Sequence, residues 1–150
     1  MWNEPDAVAA WRCVLLTRER VVRAIERDLR DAGQIPLTWY DVLLELNAAP
    51  DHALRMQDLG ARVVLSRSRV SRLVDDLERR GYVERRPDEL DARATRATIT
   101  SSGRQALRGA ARVYLRSIEE HFTRHIPGTE QRAVVHALQQ VLDHHDRPTT

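Results

Sequence analysis

The chain has 150 residues, 42% of them hydrophobic and 31% charged, which fits one ordinary soluble domain able to bury its own core. All 24 basic residues are arginine, so a P-loop lysine and lysine Schiff-base chemistry are excluded, and the single cysteine, Cys13, excludes an internal disulfide. The formal net charge of +2 permits nucleic-acid binding without requiring it.

Asn3, Glu4, Pro5 and Asp6 offer neither the basic nor the apolar region of a secretory signal. No apolar run nears the roughly 20 residues of a membrane helix, so the expectation is a cytoplasmic protein without a membrane partner. Residues 4–31 read as a long helix capped by Asn3, with Val8, Trp11, Leu15, Val22, Ile25 and Leu29 near a 3.6-residue period. Gly33 lies just past its end. Thr38 with Asp41 resembles a capping box, and the helix it opens runs to about Asn47 with Val42, Leu43 and Leu46 inside. A turn over Ala49–His52 leads to a short helix at 55–62 that lacks a good cap at Arg55. Ser66 is placed to cap a fourth helix whose buried stripe is Val70, Leu73, Val74 and Leu77. Arg79 and Arg80 suit its C-terminal end, and Gly81 closes it.

The period then changes. Tyr82–Arg86 reads as a strand, Pro87–Ala92 as a turn, and Thr95–Ile99 as the return strand, with Thr95, Ala97 and Ile99 on one face. Thr100 caps a fifth helix with the stripe Leu107, Ala110, Tyr114, Ile118 and Phe122. Pro127-Gly128 ends it, and Thr129 caps a last helix carrying Val134, Leu138, Val141 and Leu142. The fold class is therefore mainly α with a small β-hairpin. Short helices followed directly by a hairpin describe a winged helix-turn-helix.

Charge is concentrated in one place. Between Leu59 and Val74 stand Arg62, Arg67, Arg69 and Arg72 with no acidic residue. With the apolar stripe fixed inward, Arg67, Ser68, Ser71, Arg72 and Asp75 turn outward. Short side chains allow close approach to a groove wall, and arginine can hold a phosphate or bind guanine bidentately. The alternative for this helix alone is a solvated basic face.

The run from Ser66 to Arg86, then Asp88, Asp91-Ala92-Arg93 and Ile99-Thr100, resembles the recognition helix and wing of the MarR (multiple antibiotic resistance regulator) family. The specific part of the resemblance spans about residues 54–104. It implies one MarR-like domain, with a winged-helix lobe over about 35–104 and dimerisation helices over about 4–31 and 105–145. It implies a homodimer on double-stranded DNA, most simply a repressor on a pseudo-palindromic operator. Ser66, Arg67, Ser68, Arg69, Ser71 and Arg72 would enter the major groove. Arg86 would contact DNA from the wing, and Arg93, oriented by Asp91, would reach the minor groove. Position 92, often a second arginine in the family, is alanine here. The resemblance also implies release by a small aromatic acid, with Trp11, Arg12, Arg18, Trp39 and Tyr40 as candidate contacts.

Trp11, Leu15, Leu138, Val141 and Leu142 are expected to bury against a second chain. Cys13 reads as a buried structural thiol rather than a peroxide sensor, since Arg12 beside it does not share its helix face. His121 and His125 have metal-chelating spacing, but two histidines do not make a site, and no metal or other cofactor is expected. No serine elbow or zinc-protease motif suggests an enzyme. A protein-binding winged helix is the other alternative. It would carry acidic or apolar residues where Arg67 and Arg72 stand.

Overall fold

The computed structural model describes residues 4–63 and 65–146. Its elements are α1 (Glu4–Asp31), α2 (Leu37–Ala48), β1 (Ala53–Arg55), α3 (Met56–Arg62), α4 (Arg67–Arg79), β2 (Val83–Pro87), β3 (Thr95–Ile99), α5 (Ser101–His121) and α6 (Gly128–Asp146). Short 3-10 turns stand at Pro50–His52 and Thr123–His125. Contacts divide the chain into two compact units. One is Ile25–Tyr114; the other joins the segment ending at Ala24 to the segment starting at Leu115.

The first unit holds the core. Val42, Leu43 and Leu46 of α2, Leu59 of α3, and Val70, Val74 and Leu77 of α4 are all fully buried, and Ala97 and Ile99 of β3 close the core from the sheet. The sheet is antiparallel in the order β1-β3-β2. Val83 pairs with Ile99 and Pro87 with Thr95, while Ala53–Arg55 pair with Thr98–Arg96. The alternation expected along β3 places Ala97 and Ile99 inward, and Thr95 is exposed at the strand's start.

One junction orders three elements. Gly81, at φ +77°, closes α4: its N–H donates to the Glu78 carbonyl and the Tyr82 N–H to that of Leu77. That paired pattern needs the left-handed conformation glycine adopts without strain. Thr100 then donates its N–H to the Tyr82 carbonyl and its hydroxyl to the Gly81 carbonyl. The Thr100 Oγ1 also accepts the Gly103 N–H at 3.0 Å, which is the cap expected for α5. A Cβ on Gly103 would lie 2.2 Å from the Tyr82 oxygen, so only glycine lets α5 approach this closely.

Several local expectations are corrected. β1 was not foreseen, and α3 begins at Met56 because Arg55 is held in the sheet. Thr38 does not cap α2: the helix starts at Leu37 on Pro36, whose carbonyl accepts the Trp39 and Tyr40 N–H groups. Pro36 itself stands at the N-cap in an extended conformation, φ −57° and ψ 150°. Ser66 occupies the N-cap position of α4 but turns its hydroxyl to Ser68 Oγ at 3.3 Å instead of to a backbone N–H. Thr129 falls inside the first turn of α6, because the Pro127 carbonyl takes the Glu130 and Gln131 N–H groups. β2 runs one residue later than expected, and Phe122 lies just beyond α5. Asn3, the expected cap of α1, lies outside the described residues.

In the second unit the expected apolar stripe of α1 meets water. Val8, Trp11 and Leu15 are exposed, Trp11 by 62%. No residue of the 19-residue α6 is buried, and Val135, Leu138, Val141 and Leu142 are open. Among the described residues no helix is long and apolar enough to cross a membrane.

Candidate nucleic-acid interface

Burial of Val70, Val74 and Leu77 fixes the roll of α4. Arg67, Ser68, Arg69, Ser71, Arg72 and Asp75 all stand exposed as a consequence. The serines keep the outer face shallow, so the arginines reach past it.

β2 is tied to that face by Arg85, a residue that sequence reasoning missed. Its guanidinium donates to the Ser71 carbonyl at 3.0 Å and ion-pairs with Asp75 and, at 3.2 Å, with Glu78. The Arg85 backbone N–H also donates to Glu78 Oε1. Asp75, the one acid on the outer face near the basic end, is thereby neutralised from the wing. Nothing in the sequence signals this pairing, because the partners are ten residues apart and meet only once α4 packs on β2.

The wing tip rests on Asp88, also missed as a positioning residue. It is only 6% exposed. Arg55 donates to both its oxygens, at 3.1 and 3.0 Å, and the Leu90 and Asp91 N–H groups donate to Oδ1 at 2.9 and 3.0 Å. The Arg55 hydrogen bonds, outweighing the opposing effect of burial, hold the carboxyl down from the ordinary 3.8 to about 2. Asp91 accepts the Arg93 N–H on Oδ1 at 3.0 Å, and its carbonyl accepts the Ala94 N–H. Asp91 thus orients Arg93 through the backbone. Among the described residues no side-chain ion pair joins the two.

The arginines between residues 55 and 96 divide into two sets. Arg55, Arg62, Arg79, Arg85, Arg86 and Arg96 each face a carboxylate. Arg86, an expected contact, is exposed and paired to Glu84 at 2.8 Å. Arg67, Arg69, Arg72 and Arg93 have no carboxylate within ion-pair distance among the described residues, nor has Arg80 at the far end of α4. Between α4 and the wing lies a groove of about 610 Å³, into whose walls Arg67, Ser71, Arg85, Asp91 and Arg93 contribute.

The effector candidates fall in both units. Trp11, Arg12 and Arg18 are exposed on the N-terminal part of α1. Arg18 lines a cavity of about 560 Å³ with Val21, Val22, Phe122, Ile126 and Leu138. Cys13 lines it too and is exposed, contrary to the buried thiol expected. In the other unit Tyr40 is 4% exposed and tilted on Tyr114, with ring centroids 4.5 Å apart, so its ring is core. Burial pushes the Tyr40 phenol up, with Tyr114 and Asp41 adding to it. Trp39 is half-buried, edge-on to Tyr82 at 6.2 Å. His125 Nε2 is engaged by the Glu120 carbonyl at 2.9 Å. No three metal-ligating side chains converge among the described residues.

This architecture, a three-helix lobe whose last helix, α4, is basic on its outer face and has a hairpin beside it, defines a winged helix-turn-helix protein. Residues 34–94 match the MarR family. The transcriptional repressor MprA of Escherichia coli K12 is 31% identical over 71 residues, covering 47% of this chain and 40% of that protein. The chain thus spans less than half the length of that curated relative. AbsC, a MarR family transcriptional regulator from Streptomyces coelicolor, superposes with a TM-score of 0.85 over 96% of this chain and 97% of its own, at 26% identity. Sco3205, a MarR family regulator from the same organism solved in complex with DNA, gives 0.87 over 98% and 92%, at 23% identity. Residues 34–94 thus resemble the MarR family, and the chain as a whole has the fold of MarR family regulators.

Proposed function

We propose that this protein is a homodimeric, sequence-specific DNA-binding transcriptional regulator acting as a repressor. The observation that carries the reading is the sorting of arginines. Between residues 55 and 96 every other arginine except Arg80 is consumed in an ion pair, while Arg67, Arg69 and Arg72 of α4 and Arg93 of the wing stay unpaired. An unpaired guanidinium on a groove-facing helix is what a phosphate or a guanine edge needs. Ser66, Ser68 and Ser71 permit the approach, and Asp91 and Arg86 belong to the wing side of the same surface.

The second chain covers the apolar residues that α1 and α6 leave in water. Two-fold symmetry then sets two recognition helices about one DNA turn apart, matching a pseudo-palindromic operator. A small aromatic carboxylate is the effector class. Arg18 supports it best, being the one guanidinium in an otherwise apolar cavity.

The test is binding of the purified protein to the DNA upstream of its own gene at two salt concentrations. Tight, salt-sensitive and sequence-selective binding is expected. Arg72→Ala should cost roughly 1–3 kcal/mol of discrimination if it reads a base, and an equal loss on all sequences would reassign it to a phosphate. Unselective binding at low salt would move the reading to a protein-interaction module.

A further inference from the structure

We propose that Leu90 is an apolar DNA contact of the wing, packing against the deoxyribose wall of the minor groove that Arg93 of the same turn enters. The proposal rests on the DNA-binding reading above. Leu90 is 93% exposed, the most exposed large hydrophobic among the described residues. Single exposed leucines are ordinary on protein surfaces, so exposure alone decides nothing.

What sets Leu90 apart is how it is held. Its N–H is bonded to Asp88 Oδ1 at 2.9 Å, and the next N–H shares that oxygen at 3.0 Å. The same carboxylate is gripped twice by Arg55. The Asp88 N–H closes the base of the turn on the Ala94 carbonyl at 2.9 Å. An isobutyl group is thus carried outward on a pre-organised turn, so little backbone entropy is lost when it docks.

Its company names the occupant. Arg93, three residues on, has no carboxylate partner among the described residues, and Ala92 between them is short enough not to obstruct the approach. The one closed turn from Asp88 to Ala94 therefore carries both a cation and an apolar group, Arg93 on the side of α4 and Leu90 on the side of β1. The minor groove has that complementarity. Its negative potential takes an arginine, and minor-groove proteins insert leucine and similar apolar side chains there. With alanine at 92 the wing has only one unpaired cation at its tip. Leu90 supplies by apolar contact what a second charge would supply electrostatically.

The two kinds of contact respond differently to salt. An arginine on a phosphate releases counterions, whereas a leucine on sugar carbons does not. The test uses the full chain and a duplex enriched by the wild-type protein from a random DNA pool. Leu90→Ala should weaken binding about tenfold, from the apolar area lost, with the slope of log K against log salt unchanged. Leu90→Met should retain affinity to within about twofold. Arg93→Ala should instead lower the slope by about one. Thermal unfolding of all three should match the wild type, since neither side chain is packed. Wild-type affinity in Leu90→Ala, or a loss accompanied by a smaller slope, overturns the proposal and leaves the DNA reading intact. If the wild type enriches no sequence, the DNA reading fails and the proposal with it.

Discussion

Arg85→Ala should unfasten the wing from the recognition helix. The side chain makes one charged hydrogen bond to the Ser71 carbonyl, worth about 1.5–3 kcal/mol when broken. Its ion pairs with Asp75 and Glu78, carboxylates about half exposed at 50% and 43%, add roughly 0.5 kcal/mol each. Because these contacts, a weaker one to the Ser71 hydroxyl included, share one guanidinium they are not additive, and a loss of about 2–3 kcal/mol is expected. In a chain of this size that lowers Tm by roughly 5–10 °C. Urea unfolding followed by circular dichroism measures it. A double-mutant cycle with Asp75→Ala should return a coupling of about 0.5–1 kcal/mol. Arg85→Lys should fall between the two, since it keeps the charge and loses the fork. On DNA, Arg85→Ala should weaken binding uniformly across sequences, because Asp75 then stands uncompensated on the face of α4. A stability loss below about 0.5 kcal/mol, or no coupling to Asp75, would refute the clamp.

Gly103→Ala should cost about 3 kcal/mol, because the added methyl meets the Tyr82 carbonyl and either α5 or the Gly81-Tyr82 turn must move; an unchanged urea midpoint would show that α5 relaxes freely. Asp88 is a depressed carboxylate, so its folded pKa lies below its unfolded one. Its stabilisation is present above the ordinary 3.8 and is lost as pH falls towards about 2. Urea midpoints of the wild type should therefore fall more steeply across that window than those of Asp88→Asn, and parallel profiles would count against the Arg55 pairing. Leu138→Glu and Val141→Glu should convert a dimer into monomers in sedimentation equilibrium at micromolar chain concentrations; unchanged mass would send the dimer interface elsewhere.

The features legible in the sequence were those with a period or a fixed punctuation residue. The i, i+3, i+4, i+7 stripe of α4 fixed which of its residues face out; of its four expected members Val70, Val74 and Leu77 are buried and Leu73 is half-buried. Alternation over Thr95–Ile99 gave β3 its limits, and Gly81 marked the end of α4. β1 was illegible because three residues have no period of their own, and Ala53–Arg55 become a strand only by pairing with β3. Thr38 and Thr129 misled because a proline carbonyl took the role that a hydroxyl was expected to fill. The roles of Arg85 and Asp88 were hidden for a different reason. Arg55 and Asp88 are 33 residues apart, and an exposed acid in a turn looks the same in sequence whether or not an arginine from β1 reaches it.

At the wing tip, exposure and mobility part company. The amides of Leu90 and Asp91 lie in a turn surrounded by water, where fast hydrogen exchange would ordinarily be assumed. Both end on a carboxylate that is itself shut away from solvent and held by a guanidinium. The stiffness of this loop is therefore electrostatic, with almost no packing behind it. Such stiffness has its own melting agent: a proton on Asp88 removes the charge that Arg55 grips and weakens the acceptor of both amides at once. In acid the tip should begin to exchange its amides while the Val42, Leu43 and Leu46 layer still excludes water, so the wing and the lobe it serves come apart in two stages.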